Sequence, residues 1–151
     1  MKKKIILILI AIIIVIFVLK SLILSEEDRV KKDINSLKNS VEKEDKMGVL
    51  KYINGGYLDK NNITYEELIT TMDELFEQAD SIKILMSRMK IRIDSVNKVE
   101  TIFASCSLGL KVFAKYEGEK VMVFGSIIKP RSARAYFKKS GEHYKIYSAE
   151  Y

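Results

Sequence analysis

The sequence predicts an α+β protein: an N-terminal transmembrane helix, then three helices packed on one face of a curved, four-stranded, mostly antiparallel sheet. Three observations lead there. Residues 5–24 form one apolar block behind a lysine cluster; from Glu26 to Ala79 apolar residues recur three and four positions apart; from Ile82 onward they alternate with a period of two. A run of helices followed by a run of strands is the pattern of α+β chains, in which helices and sheet segregate.

The apolar block begins after Lys2-Lys3-Lys4, runs unbroken from Ile5 to Leu19, and resumes past Lys20-Ser21 with Leu22-Ile23-Leu24. At ~1.5 Å rise per residue, residues 5–24 as a helix cover ~30 Å, the hydrocarbon thickness of a bilayer. A cleaved signal peptide would need small residues at its exit, where this chain has Leu22, Ile23 and Leu24. The sole cysteine, Cys106, is far from any lipidation position. Lysines before the span, with Glu26, Glu27 and Asp28 after it, place the N-terminus in the cytoplasm. The expectation is a single-pass protein of a bacterial cell membrane: residues 1–24 a cytoplasmic tip and anchor in the lipid bilayer, residues 25–151 one extracytoplasmic domain.

Charge excludes one functional class. Four of the 26 basic residues (Lys2, Lys3, Lys4 and Lys20) belong to the anchor, so the remainder nearly balances the 20 acids. The net charge of +6 thus describes the anchor more than the domain, and no nucleic-acid partner is expected. One cysteine allows no internal disulfide and, with a single histidine, supplies almost no metal ligands. Gly55-Gly56 is followed by Tyr57 rather than by a phosphate-loop pattern, so no cofactor is expected.

Val30, Ile34, Leu37 and Val41 make one apolar stripe, predicting a helix from Glu26 to about Lys46 with three acids at its positive end. A second short helix, from Lys46 to Ile53, ends at Asn54-Gly55-Gly56. Thr64 followed by Glu67 is a capping box, opening a third helix that runs to about Ala79 with Leu68, Met72, Leu75 and Phe76 on one face.

Residues 82–93 alternate in two registers, Ile82, Ile84, Met86 and then Met89, Ile91, Ile93, which predicts a strand bulged at Ser87-Arg88. A second strand, Val99 to Ala114, carries Ile102, Ala104, Cys106, Leu108, Leu110 and Val112 on one face. A turn at Tyr116-Glu117-Gly118 leads to a third strand region, Glu119 to Lys139, bent at Pro130. Lys139-Ser140-Gly141 turns into the last strand, Glu142 to Tyr151.

Three passages resemble the nuclear transport factor 2-like (NTF2-like) superfamily, also called SnoaL-like or cystatin-like domains. They are the helix pair hinged at Val41-Glu42-Lys43-Glu44-Asp45 and leading to Tyr57-Leu58-Asp59, the opening Ile63-Thr64-Tyr65-Glu66-Glu67-Leu68, and the ending from Ala135 to Glu150. The resemblance implies a cone of three helices on a curved sheet. It puts Tyr144, Ile146 and Ser148 inward and His143 in solvent beside a turn, without an orienting partner. Dehydratases, isomerases, cyclases and binding modules share such a fold, so the resemblance gives no single function. One span followed by an NTF2-like domain is also similar in architecture to the VirB8-like components of secretion and conjugation machines.

Candidate residues fall into two sets. A cavity in the cone would be lined by Met72, Phe76, Met86, Cys106, Leu108 and Tyr144; thioethers there would suit a small apolar ligand, and core filling is their plainer role. Arg88, Lys90, Arg92, Arg131, Arg134 and Lys138 could gather on the sheet into a basic contact face for anionic headgroups, a cell-wall polymer or an acidic protein, though such charges also simply wet a sheet. Cys106, between Ala104 and Leu108, reads as a buried, inert thiol. No catalytic residue stands out. The expected function is therefore a noncatalytic, membrane-anchored module that binds a partner protein or a small apolar ligand, its sheet face serving a homodimer or an envelope partner. A small cyclase, isomerase or dehydratase working in the cone is the alternative.

Overall fold

The computed structural model describes residues 10, 12–14, 25–96, 101–126 and 128–151. The predicted span, residues 5–24, lies outside them except for Ile10, Ile12, Ile13 and Ile14, which are helical with exposed side chains. No helix among the described residues is long and apolar enough to cross a membrane.

Helix α1 (Glu26–Glu42) starts where Ser25 Oγ accepts the Asp28 N–H at 3.1 Å. It stops four residues earlier than its periodicity suggests. Glu44 adopts a left-handed φ of 56°, and the N–H groups of Glu44 and Asp45 bond the carbonyls of Val41 and Ser40, a Schellman closure. Glycine usually marks that position, and a glutamate hid it. Asp45 then caps the short α2 (Lys46–Leu50) by accepting the Gly48 N–H. Helix α3 (Tyr65–Gln78) opens on the predicted capping box: Thr64 Oγ1 accepts the Glu67 N–H at 3.3 Å and the Glu67 carboxylate accepts the Thr64 N–H at 2.8 Å.

The sheet is antiparallel and has five strands: β1 (Ser81–Val96), β2 (Ile102–Tyr116), β3 (Glu119–Phe124), β4 (Arg131–Ser140) and β5 (His143–Glu150). β1 is bulged where expected, with Arg88 at a φ of 52° between the ladder pairs of Ser87 and Lys90. The single bent strand predicted from Glu119 to Lys139 is two strands instead. β3 pairs Val112–Tyr116 of β2 and β4 pairs Phe103–Leu110 of the same β2 edge, the chain leaving the ladder between them. Pro130 has no N–H to donate, and Ser126 closes the gap by bonding Lys129. The outer edge of β5 is covered by residues 52–60, through bonds such as Asn54 N–H to the Ile146 carbonyl and Ile146 N–H to the Tyr52 carbonyl, both 2.8 Å.

The helices pack on one face. Val30 and Ile34 of α1 meet Ala104, Cys106, Phe137 and Tyr144. A second cluster joins Val49, Ile53 and Tyr57 to α3, and a third gathers Ala79, Ile82 and Ala114. Inward alternation along β5 holds for Tyr144 and Ile146 but not for Ser148. Tyr136 pairs Ser148 and Phe137 pairs Ile146, so a bulge at Tyr147 shifts the phase and Ala149 joins the core in place of Ser148.

Candidate functional site

On the inner face, apolar side chains pack against α1 and its acids Glu26, Asp33 and Glu42 are engaged. At the root of α1, Glu26 accepts from Lys139 Nζ at 2.9 Å and from the Tyr144 hydroxyl at 2.5 Å. Two turns on, the buried Asp33 accepts the Tyr144 N–H at 2.8 Å and lies 3.1 Å from His143 Nδ1, whose ring stands edge-on to Tyr52. His143 thus has the orienting partner that the sequence reading denied it, and it leans on the domain rather than standing in solvent. Glu42 reaches from the end of α1 to accept the edge N–H of Ile84, and Asp59 accepts from Asn61, Ile63 and the Tyr151 hydroxyl. Among the described residues no three His, Cys, Asp or Glu side chains converge as a metal site.

Sequence reasoning missed Asp33 and Glu26, although the signal was present. Both lie in the apolar stripe of α1, Glu26 four residues before Val30 and Asp33 beside Ile34. An acid within a buried stripe must find a donor from another element.

Glu26 makes stability depend on acid. Desolvation pushes its pKa up, but the hydrogen bonds from Lys139 and Tyr144, with the charge of Lys139, win and hold it below the ordinary 4.5. A carboxyl depressed on folding stabilises the fold above its unfolded pKa, and that stability is lost as pH falls through the folded value. Stability should therefore fall below about pH 4.5, and Glu26→Gln should flatten the fall, as read from denaturant midpoints between pH 7 and 3.

The cavity candidates are distributed through the core rather than around one space. Cys106 and Tyr144 are fully buried, Met86 and Leu108 pack against them, and Met72 and Phe76 belong to the second cluster. Burial pushes the Cys106 thiol up to about 11. At pH 8 that leaves ~10⁻³ of it as thiolate against roughly a quarter of a free cysteine, so a charged thiol reagent should label the native chain about two hundredfold more slowly than the unfolded one.

The outer face is different. Two neighbouring rungs cross β1, β2 and β4: Lys90–Ser107–Arg134 and Arg92–Ser105–Tyr136. These six residues, with Ile91, line a cleft of about 260 Å³. Arg92 Nε bonds Asp94 at 2.6 Å, Arg134 Nε bonds Ser107 Oγ at 3.1 Å, and the Tyr136 hydroxyl bonds Glu150. Tyr136 in turn holds Arg134 above its ordinary pKa, helped by Glu150 and Asp94. Lys138 lies one rung further along the same face. The predicted basic set is only partly gathered. Arg88 sits on the bulge, and Arg131 pairs Leu110 on the opposite register, its guanidinium 5.4 Å from the Phe124 ring. A second, wider cleft of about 490 Å³ lies between the end of α3 and the β2–β3 hairpin, lined by Gln78, Tyr116, Glu117, Glu119 and Val121.

No family model and no curated protein sequence matches this chain. Solved structures do. The helical cell shape determining protein Pgp2 of Campylobacter jejuni is similar at a TM-score of 0.64 and 14% identity, over 83% of this chain and 41% of that one. Bd1075 of Bdellovibrio bacteriovorus is similar at 0.58 and 15% identity, over 80% and 37%. A dehydratase candidate of the NTF2-like family from Streptomyces avermitilis is similar at 0.58 and 10% identity, over 82% and 92%. The chain spans about two-fifths of the first two proteins and nearly all of the third. At such identities the likeness speaks for the fold alone, and the fold is NTF2-like.

Proposed function

We propose that this chain is a membrane-tethered, noncatalytic NTF2-like module whose outer sheet face binds a partner outside the cytoplasmic membrane. The observation that carries the reading is the contrast between the two faces. Inside, Glu26, Asp33, Glu42 and Asp59 are each engaged by donors of the same chain, and the interior is packed with aliphatic and aromatic side chains. Outside, Lys90 and Lys138 stand exposed beside a cleft with a hydroxyl floor. The tether is supported by the apolar run of residues 5–24 and by the exposure of Ile10, Ile12, Ile13 and Ile14, which the domain leaves uncovered. The likeness to a cell-shape determining protein, 41% of whose chain is matched, fits an envelope role.

A second reading, acid–base chemistry, rests on Asp33 and His143, an imidazole held by a buried carboxylate. Neither cleft is lined by this pair.

Protease added to intact spheroplasts that express the full chain tests the reading. Loss of the domain, with the N-terminal segment retained in carbonate-washed membranes, is the expected result. A protected domain, or a chain released by the wash, would overturn it.

A further inference from the structure

We propose that the outer-face cleft between β1, β2 and β4 is an oxyanion site for a phosphate ester, held by Lys90, Arg92 and Arg134 over the hydroxyls of Ser105, Ser107 and Tyr136. The inference rests on the reading of this face as the contact surface and gives that contact a chemistry.

The shape follows from the register. On each of the two rungs the central residue, Ser105 or Ser107 of β2, is short, and the flanking residues from β1 and β4 are long. Strands ~4.8 Å apart and same-face residues ~7 Å apart along a strand give a hollow ~10 Å wide, with serines for a floor and cations for walls. Its volume of about 260 Å³ is below the range of pockets that take drug-sized ligands, ~300–1,000 Å³, and suits a compact group.

The electrostatics favour an anion. Asp94 already makes the kind of contact an incoming oxyanion would make, accepting from Arg92 at 2.6 Å and from the Ser105 hydroxyl. In the other half the nearest carboxylate, Glu150, is the β5 ladder partner of Arg134 and accepts from the Tyr136 hydroxyl. Its charge offsets part of Arg134's, and the three cations still outnumber Asp94 and Glu150. Arg134 Nε points at the neutral oxygen of Ser107, and Lys90 makes no ion pair among the described residues. With the Ser105 and Tyr136 hydroxyls already donating to Asp94 and Glu150, the remaining N–H groups of two guanidiniums, one ammonium and the Ser107 hydroxyl still offer more donors than the two oxygens of a carboxylate can accept, whereas a phosphate monoester presents three terminal oxygens and a higher charge. Lys138, one rung along, adds to the same potential.

The test is calorimetric titration of the full chain, in micelles of an uncharged maltoside detergent, with glycerol 3-phosphate and, separately, with acetate. Saturable binding of the phosphate ester is expected, weakened about tenfold by Arg134→Gln and by Lys90→Gln, the scale of losing one hydrogen bond to a charged group. Arg131→Gln removes the same charge from the opposite register and should leave binding within about twofold of the parent. No saturable binding below ~10 mM, equal binding of acetate, or an equal loss in Arg131→Gln would each overturn the proposal. Competition by phosphatidylglycerol mixed into the micelles would identify a lipid headgroup as the source of the ester, and its absence a soluble or polymer-borne one; both arms uphold the site. The titration reads the cleft alone. A negative result leaves the tethered-module reading to its protease test, and a protected domain in that test leaves the titration intact.

Discussion

Phe137→Ala should destabilise the fold by about 3–5 kcal/mol, lowering the melting temperature by roughly 10–20 °C. Phe137 is 2% exposed and sits mid-way along β4, paired with Ala104 on one side and Ile146 on the other. Its ring fills the space beneath α1 with Val30, Ile34, Cys106 and Tyr144. Relaxation would have to close the hole; Ala104, Ala135 and Cys106 are short side chains on a hydrogen-bonded ladder, so on the sheet only rotamer changes of longer neighbours such as Ile146 and Met86 could help, and the larger movement falls to α1. Glu26 and Asp33 hold it to the β4–β5 hairpin through Lys139, Tyr144 and His143. The cavity should therefore persist, and with it the full cavity penalty. Denaturant unfolding followed by circular dichroism would measure it, with Phe137→Leu as a milder companion. A loss below about 1 kcal/mol for the alanine would mean that α1 does collapse and that its ties to the hairpin are weak.

The same ties explain what the sequence could and could not disclose. Elements governed by local rules were legible: the capping box at Thr64, the bulge at Arg88 and the apolar faces of β1 and β2 follow from residues within a few positions of one another. The end of α1 was missed because its closure uses Glu44 where the usual marker is glycine. The division of β3 from β4 depends on both strands reaching the same edge of β2, a fact about long-range pairing on which Pro130 alone says little. The candidate site divided along the same line. Alternation put Lys90 and Arg92, like Arg134 and Lys138, on one register, and it also separates Arg131 from Arg134, three positions away, but only the pairing of β4 with β2 brought the two pairs face to face. Asp33 and His143 are 110 positions apart, and no periodicity connects them.

Asp33→Ala should cost about 2–3 kcal/mol, and the cause would be an amide rather than a lost charge pair. Asp33 is 5% exposed and Tyr144, whose N–H it accepts at 2.8 Å, is fully buried. Removing the carboxylate leaves that N–H without an acceptor and out of reach of water, a penalty of ~1–3 kcal/mol, and also frees His143. Alanine returns a few tenths of a kcal/mol in helix propensity, which keeps the net loss below that of the Phe137 cavity. Asp33→Asn retains one oxygen to accept from Tyr144 and should fall between parent and alanine. His143→Ala should cost less than Asp33→Ala, since the imidazole is partly exposed and the Tyr144 bond survives. Amide hydrogen exchange separates this account from a general loosening of α1: the Tyr144 N–H should lose protection far more than its β5 neighbour Ile146, whose N–H bonds the Tyr52 carbonyl instead. Equal loss at both would place the effect in the packing of the helix, and a double cycle with His143→Ala would then show additive rather than coupled costs.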